Sequence, residues 1–161
     1  MQKLGWGHFS TVWLVNNNTT DCKYALKIQK SKESYQEAAC DELNLLSDLK
    51  KSKLDATWLE YKKEICQEYG LAIPEVENYN IEIIDNFVHY GMHGKHYCSV
   101  FEIMGPSLLD VVQYYENDNS YRCIPMRFVK LMARQILIGL DYMHRVCNLI
   151  HTDLKLENVM I

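Results

Sequence analysis

The chain predicts an α+β fold: a small antiparallel sheet carrying one helix, then a run of helices. Three observations carry that expectation. Short β-rich runs bounded by turn residues fill 3–29 and 81–103, an apolar stripe at helical spacing crosses 34–50, and from 107 onward the periodicity is helical. With 161 residues, 48% hydrophobic and 24% charged, the composition is that of a globular domain rather than a disordered or fibrous one.

Residues 3–5 and 11–15 (TVWLV) are expected to pair as strands around a glycine turn. The polar stretch NNNTTD at 16–21 then leads to a third strand, KYALKIQ, at 23–29. Ala39, Leu43, Leu46 and Leu49 recur at spacings of three and four, which predicts an amphipathic helix from Ser34 to about Lys50. Its acidic start suits the helix dipole. Residues 51–80 read as an insertion, with a charged helical piece from Leu54 to about Tyr69 and a loop around Pro74. A hairpin follows, with IEIIDNFVHY (81–90) and KHYCSVFEI (95–103) as strands and GMHG at 91–94 as the turn. Gly105 and Pro106 punctuate the chain, so a hinge is expected at 102–106 between a first lobe of residues 1–104 and a second of residues 105–161. The second opens with a helix, SLLDVVQYYEN at 107–117. A longer helix after Pro125 is expected to end near Val146, with Val129, Met132, Ala133, Ile136, Leu137, Leu140 and Met143 on one apolar face.

Composition excludes several function classes. The formal charge of −4 gives no reason to expect phosphate-backbone binding to nucleic acid. Six cysteines at 22, 40, 66, 98, 123 and 147 form no CxxC pair and no tight cluster, so reduced and mostly buried thiols are expected. The start MQKLGWGHFS has no apolar signal region and no run approaches membrane-spanning length, which points to an intracellular protein. His89, His93 and His96 flank a turn without cysteine or carboxylate partners at ligand spacing, so they are read as turn decoration rather than a metal site.

Three motifs carry chemistry. GWGHFSTV at 5–12 places glycines where backbone must approach phosphate oxygens closely, with Ser10 at the third glycine position of the pattern. A dinucleotide-binding turn would be followed by a helix, and TVWLV reads as a strand. Lys27 lies on a strand with Ala25 on the same face, and Glu42 lies on the core-facing stripe of the following helix. A carboxylate in that position needs a cation, and Lys27 is the candidate; together they would hold an ammonium against the α and β phosphates of ATP. HTDLKLEN at 151–158 has the layout of a protein-kinase catalytic loop. In it Asp153 would orient a hydroxyl and accept its proton, Lys155 would neutralise the transferring phosphate, and Asn158 would hold a magnesium ion.

Taken together, LGWGHFSTVWL at 4–14, YALKI at 24–28, DELNLL at 41–46, VFEIMG at 100–105 and IHTDLKLENVMI at 150–161 resemble SR-protein kinases. The likeness covers nearly the whole chain apart from 51–80. It implies a protein-kinase-like fold, with a five-stranded antiparallel N-lobe bearing one helix and then the first helices of a C-lobe. It also implies ATP and Mg²⁺ as cofactors and serines of arginine/serine-rich splicing factors as substrates, in the cytoplasm, the nucleus or both. By position, the nucleotide-binding stretch is Leu4, Gly5, Trp6, Gly7, His8, Phe9, Ser10, Thr11 and Val12, with Ala25 and Lys27. Glu42 matches the ion-pair glutamate, Phe101 the gatekeeper, Glu102 to Met104 the adenine-binding hinge, and Asp153 the proton acceptor.

Thr152 stands where most protein kinases carry the arginine that grips a phosphorylated activation loop, which implies an enzyme that does not await that phosphorylation. Leu156 departs from the family's usual proline. HTDLK also occurs in LAMMER-type dual-specificity kinases, so that string alone leaves the subfamily open. No DFG segment lies in the 161 residues. The expectation is therefore that this chain by itself does not transfer phosphate, and the competing reading is a nucleotide- or partner-binding module without catalysis.

Overall fold

The computed structural model describes residues 1–70, 77–117 and 123–161. The loop expected around Pro74 lies outside them. The described chain forms two compact units, Met1–Lys51 with Ile81–Ile103 and Ser52–Asn80 with Met104–Ile161.

In the first unit, β1 (Gln2–Trp6), β2 (Ser10–Asn16), β3 (Lys23–Gln29), β4 (Ile83–Gly91) and β5 (Gly94–Phe101) make one antiparallel sheet in the order β1-β2-β3-β5-β4. All five strands were expected; β4 starts later, and β5 ends at Phe101 rather than 103 because its ladder to β3 closes at Ala25↔Phe101. Gly94 has φ 109, a conformation that L side chains rarely adopt, and so turns the β4–β5 hairpin. Helix α1 (Glu33–Lys51) has Glu33 in its first turn and Lys50 and Lys51 in its last, as its dipole favours. Its apolar stripe buries Ala39 and Leu49, and the unit's core adds Ile83, Cys98 and Phe101.

The second unit begins with a 3₁₀ turn and α2 (Ala56–Tyr69). Asp55 caps α2 by accepting from the Thr57 N–H, and Gly70 in the left-handed region ends it. Helix α3 (Leu108–Asn117) opens on a capping box: Ser107 Oγ accepts from the Asp110 N–H, and the Asp110 carboxylate accepts from the Ser107 N–H. Helix α4 (Met126–Asp141) continues into a π-helical turn, Tyr142–Val146.

Three sequence expectations change here. Of the stretch 51–80, expected as an insertion in the first lobe, the described residues 52–70 and 77–80 cluster with the second unit, where Trp58 packs edge-on against Tyr142 at 4.9 Å and the Asn80 amide donates to the Gly139 carbonyl. Along α4, Ile138 and Gly139 are buried although neither lies on the expected stripe, while of that stripe Leu137 is 64% exposed and Met143, just past the helix, is buried. Gly139 explains the phase: a Cβ there would meet the Asn78 carbonyl oxygen at 3.2 Å, so backbone packs against backbone at that point. The thiols are not mostly buried either. Cys66 and Cys98 are, but Cys22 and Cys123 are exposed and Cys40 and Cys147 half-buried.

Candidate active site

The first group of site residues is built on the sheet of the first unit. Residues paired directly across an antiparallel ladder point to one face. The registers Leu14↔Ala25↔Phe101 and Val12↔Lys27↔Ser99 therefore set Ala25, Lys27, Val12 and Phe101 on a common face, with Ser10↔Gln29 extending it. Phe101 is buried beside Ala25, whereas Glu102 is exposed and the chain passes from one unit to the other between Ile103 and Met104.

Helix α1 aims Glu42 at this face. Lys27 Nζ bonds Glu42 Oε1, with the two side chains 25% and 36% exposed. The second oxygen, Oε2, accepts from Gln29 Nε2 at 3.3 Å. Glu42 is thus held from both sides rather than lying on a charged surface. The sequence singles out Lys27 and Glu42 but not Gln29, whose only signal is its position two residues beyond Lys27 on the same face of the strand.

The glycine turn between β1 and β2 is fixed from outside. The Gly7 N–H donates to the Ser10 carbonyl at 2.9 Å, and Lys30 reaches back to the Gly7 and His8 carbonyls at 3.3 and 2.7 Å. Tyr35 on α1 packs edge-on against Phe9 at 5.0 Å, and its hydroxyl lies 3.0 Å from His8 Nε2. Neither Gly5 nor Gly7 has a positive φ, and a Cβ at either meets no atom within 4 Å. Their value here is open space above the loop, the feature a phosphate-bearing ligand requires. Leu4, Trp6 and Phe9 are 49%, 78% and 55% exposed, and Thr11 and Val12 are half-buried.

The second group lies within one loop of the second unit. Asp153 Oδ2 is 2.9 Å from Lys155 Nζ, and Asn158 Nδ2 donates to both Oδ2 and the backbone carbonyl of Asp153 at 2.9 Å each. The bond from Lys155, then that from Asn158, holds the Asp153 carboxyl below the ordinary carboxylate range, and the same contact raises Lys155. Both are therefore charged at neutral pH. With its NH₂ turned to Asp153, the Asn158 amide presents its oxygen elsewhere, the donor type that magnesium takes. Thr152 sits at φ 60, an outlier for a β-branched residue, and Asp153 N donates back to the His151 carbonyl at 2.8 Å.

The end of this loop is tied to the start of α3. Leu108 N donates to Val159 O at 2.8 Å, Ile161 N to Pro106 O at 3.1 Å, and Gly105 N to Ile161 O. A Cβ on Gly105 would stand 2.8 Å from Ile161 O, closer than real contacts allow. Glycine is therefore favoured there by the close approach of the backbone at Ile161. His96, read as turn decoration, has Nδ1 2.8 Å from the Gln29 carbonyl oxygen.

Residues 1–161 match the family model of the protein kinase domain. The chain is 43% identical to the serine/threonine-protein kinase SRPK of Physarum polycephalum over 162 residues, covering 100% of this chain and 32% of that protein. It is 42% identical to protein kinase dsk1 of Schizosaccharomyces pombe, covering 99% and 25%, and 39% identical to serine/threonine-protein kinase SKY1 of Saccharomyces cerevisiae, covering 100% and 19%. The chain thus spans 19–32% of the length of these relatives. The crystal structure of a kinase domain superposes with TM-score 0.72 at 26% identity, over 100% of this chain and 38% of the other. No helix of the described residues is long and apolar enough to cross a membrane.

Proposed function

Because the chain belongs to the protein kinase domain family, we propose that it serves ATP-dependent phosphorylation of serines in arginine/serine-rich proteins of mRNA splicing, as an SR-protein-kinase-like enzyme of the cytoplasm, the nucleus or both. The observation that carries this reading is the closed set of contacts among Asp153, Lys155 and Asn158, a carboxylate kept ionised beside a cation and an amide. Identities of 39–43% to SRPK, dsk1 and SKY1 support the choice of subfamily.

Lys27, steadied by Glu42, draws in the α and β phosphates, and the backbone from Gly5 to Ser10 lies along them. Phe101 bounds the adenine side, and Glu102 to Met104 offer it backbone hydrogen bonds. Asp153 orients the substrate serine hydroxyl and takes its proton as the oxygen attacks the γ-phosphorus. Lys155 offsets charge on the phosphoryl group in transit, and the products are phosphoserine and ADP. Asn158 would be one protein ligand of a magnesium ion, which would supply positive charge to offset that of the phosphates.

The test is transfer of labelled phosphate from ATP to an arginine/serine-repeat peptide by the protein expressed from its own gene. Asp153→Ala should lower the rate about 10²- to 10⁴-fold, the usual contribution of a positioned base. A rate unchanged by that substitution refutes the assignment, and nucleotide binding without any transfer favours a binding module instead. Thr152 offers no charge to a phosphorylated loop, so phosphatase treatment should leave activity intact; a large loss contradicts that part of the reading.

A further inference from the structure

Gln29 is an unusual residue for its place. It ends the central strand β3, is only 6% exposed, and its Oε1 is buried without a hydrogen-bond partner. Buried amides are ordinarily satisfied at both ends, so an orphaned oxygen marks a group kept for another reason. The other end of the same amide meets Glu42 Oε2 at 3.3 Å. A carboxylate only accepts, so the end facing it is the NH₂.

We propose that Gln29 is a positioning residue for nucleotide binding: its amide fixes the second oxygen of Glu42, leaving Oε1 alone for Lys27. The inference rests on the reading of Lys27 and Glu42 as the grip on ATP. Lys27 and Glu42 are long side chains with 25% and 36% exposure, and a pair so placed loses much of its Coulomb energy to solvent and to side-chain freedom. Gln29 has no such freedom, because packing encloses it and its backbone carbonyl is held by His96. A rigid donor on one oxygen removes the rotations that would let Glu42 swing from Lys27. The Lys27 ammonium is then already set where phosphate oxygens need it.

The proposal predicts opposite signs for stability and affinity. Gln29→Met keeps the length and removes both amide atoms, so the orphaned oxygen disappears together with the bond to Glu42. In the 161-residue chain its thermal midpoint should stay level or rise, while the dissociation constant for Mg-ATP, measured calorimetrically, should rise about fivefold. Lys27→Met serves as the reference and should weaken binding more. If Lys27→Met weakens binding and Gln29→Met does not, the positioning role is wrong and the nucleotide site stands. If Lys27→Met leaves affinity unchanged, or the unmodified chain binds no ATP, both fall together. Should Gln29→Met melt at a lower temperature, Gln29→Glu decides. It sets two carboxyls side by side, so its affinity relative to the unmodified chain should drop at pH 8 and recover toward pH 5.5, where a shared proton restores a donor. A ratio independent of pH overturns the proposal.

Discussion

The two groups of site residues are assembled in contrasting ways. Around Lys27 the site is a meeting of side chains from a strand and a helix, 15 residues apart between Lys27 and Glu42, and nothing local brings them together. Around Asp153 it is a single loop whose side chains bond one another and whose backbone is clasped by the residues before α3. The difference teaches where each site is vulnerable. The first depends on the packing of α1 against the sheet and on half-buried charges; the second depends on chain geometry at a few positions.

Substitution at Gly105 should have the largest effect on that contrast. Gly105→Ala drives a Cβ into the Ile161 carbonyl and should cost about 1–3 kcal/mol, the range for overpacking, as read from denaturant unfolding. It should disturb the Asp153 loop while leaving Lys27 and Glu42 paired. An unchanged midpoint would mean that the clasp does not hold the loop.

The next effect is alkaline. Burial, then the hydrogen bond its hydroxyl donates to the Asp141 carboxylate, raises Tyr61 to about 12, so the folded state keeps its proton above the ordinary value of 10.0. Below pH 10 the folded and unfolded chains both hold that proton and stability is flat; between pH 10 and 12 the unfolded chain loses it first, so stability falls. Buried Tyr142 shifts in the same direction and adds to the loss. Tyr61→Phe should flatten part of this decline in melting curves taken across pH 9 to 12, and an equally steep decline in the variant would remove Tyr61 from the account.

Glu42→Gln should be the mildest for folding. A pair still partly open to solvent contributes about 1 kcal/mol or less, so the melting midpoint should barely move even as ATP affinity drops. A stability loss of several kcal/mol would make the pair a structural element and erase the contrast between the two sites.

The same contrast explains what could be read from sequence. HTDLKLEN was legible as a string because its chemistry is contiguous, and β3 was placed at 23–29 because polar turns bound a β-rich run. Lys27 and Glu42 were legible only jointly, as a strand cation and a core-facing carboxylate that each lack a local partner. The phase of α4 was not legible. Leu137 and Ile138 are adjacent apolar residues, and the choice between them is made by the approach of Asn78 to Gly139 from a distant part of the chain. The allegiance of 52–70 and 77–80 to the second unit is hidden for the same reason, since Trp58 finds Tyr142 only after folding. Gln29 was overlooked because a polar residue at the end of a strand ordinarily faces water.

The backbone at position 152 has a consequence for inheritance as well as for folding. With φ at 60, that site discriminates among amino acids by the shape around Cβ, not by charge or hydropathy. A saturation library at this codon, sorted for soluble folded chains, should enrich asparagine, aspartate and glycine over the resident threonine and deplete valine and isoleucine most strongly. Variation tolerated there is therefore set by stereochemistry before any question of partner or substrate arises.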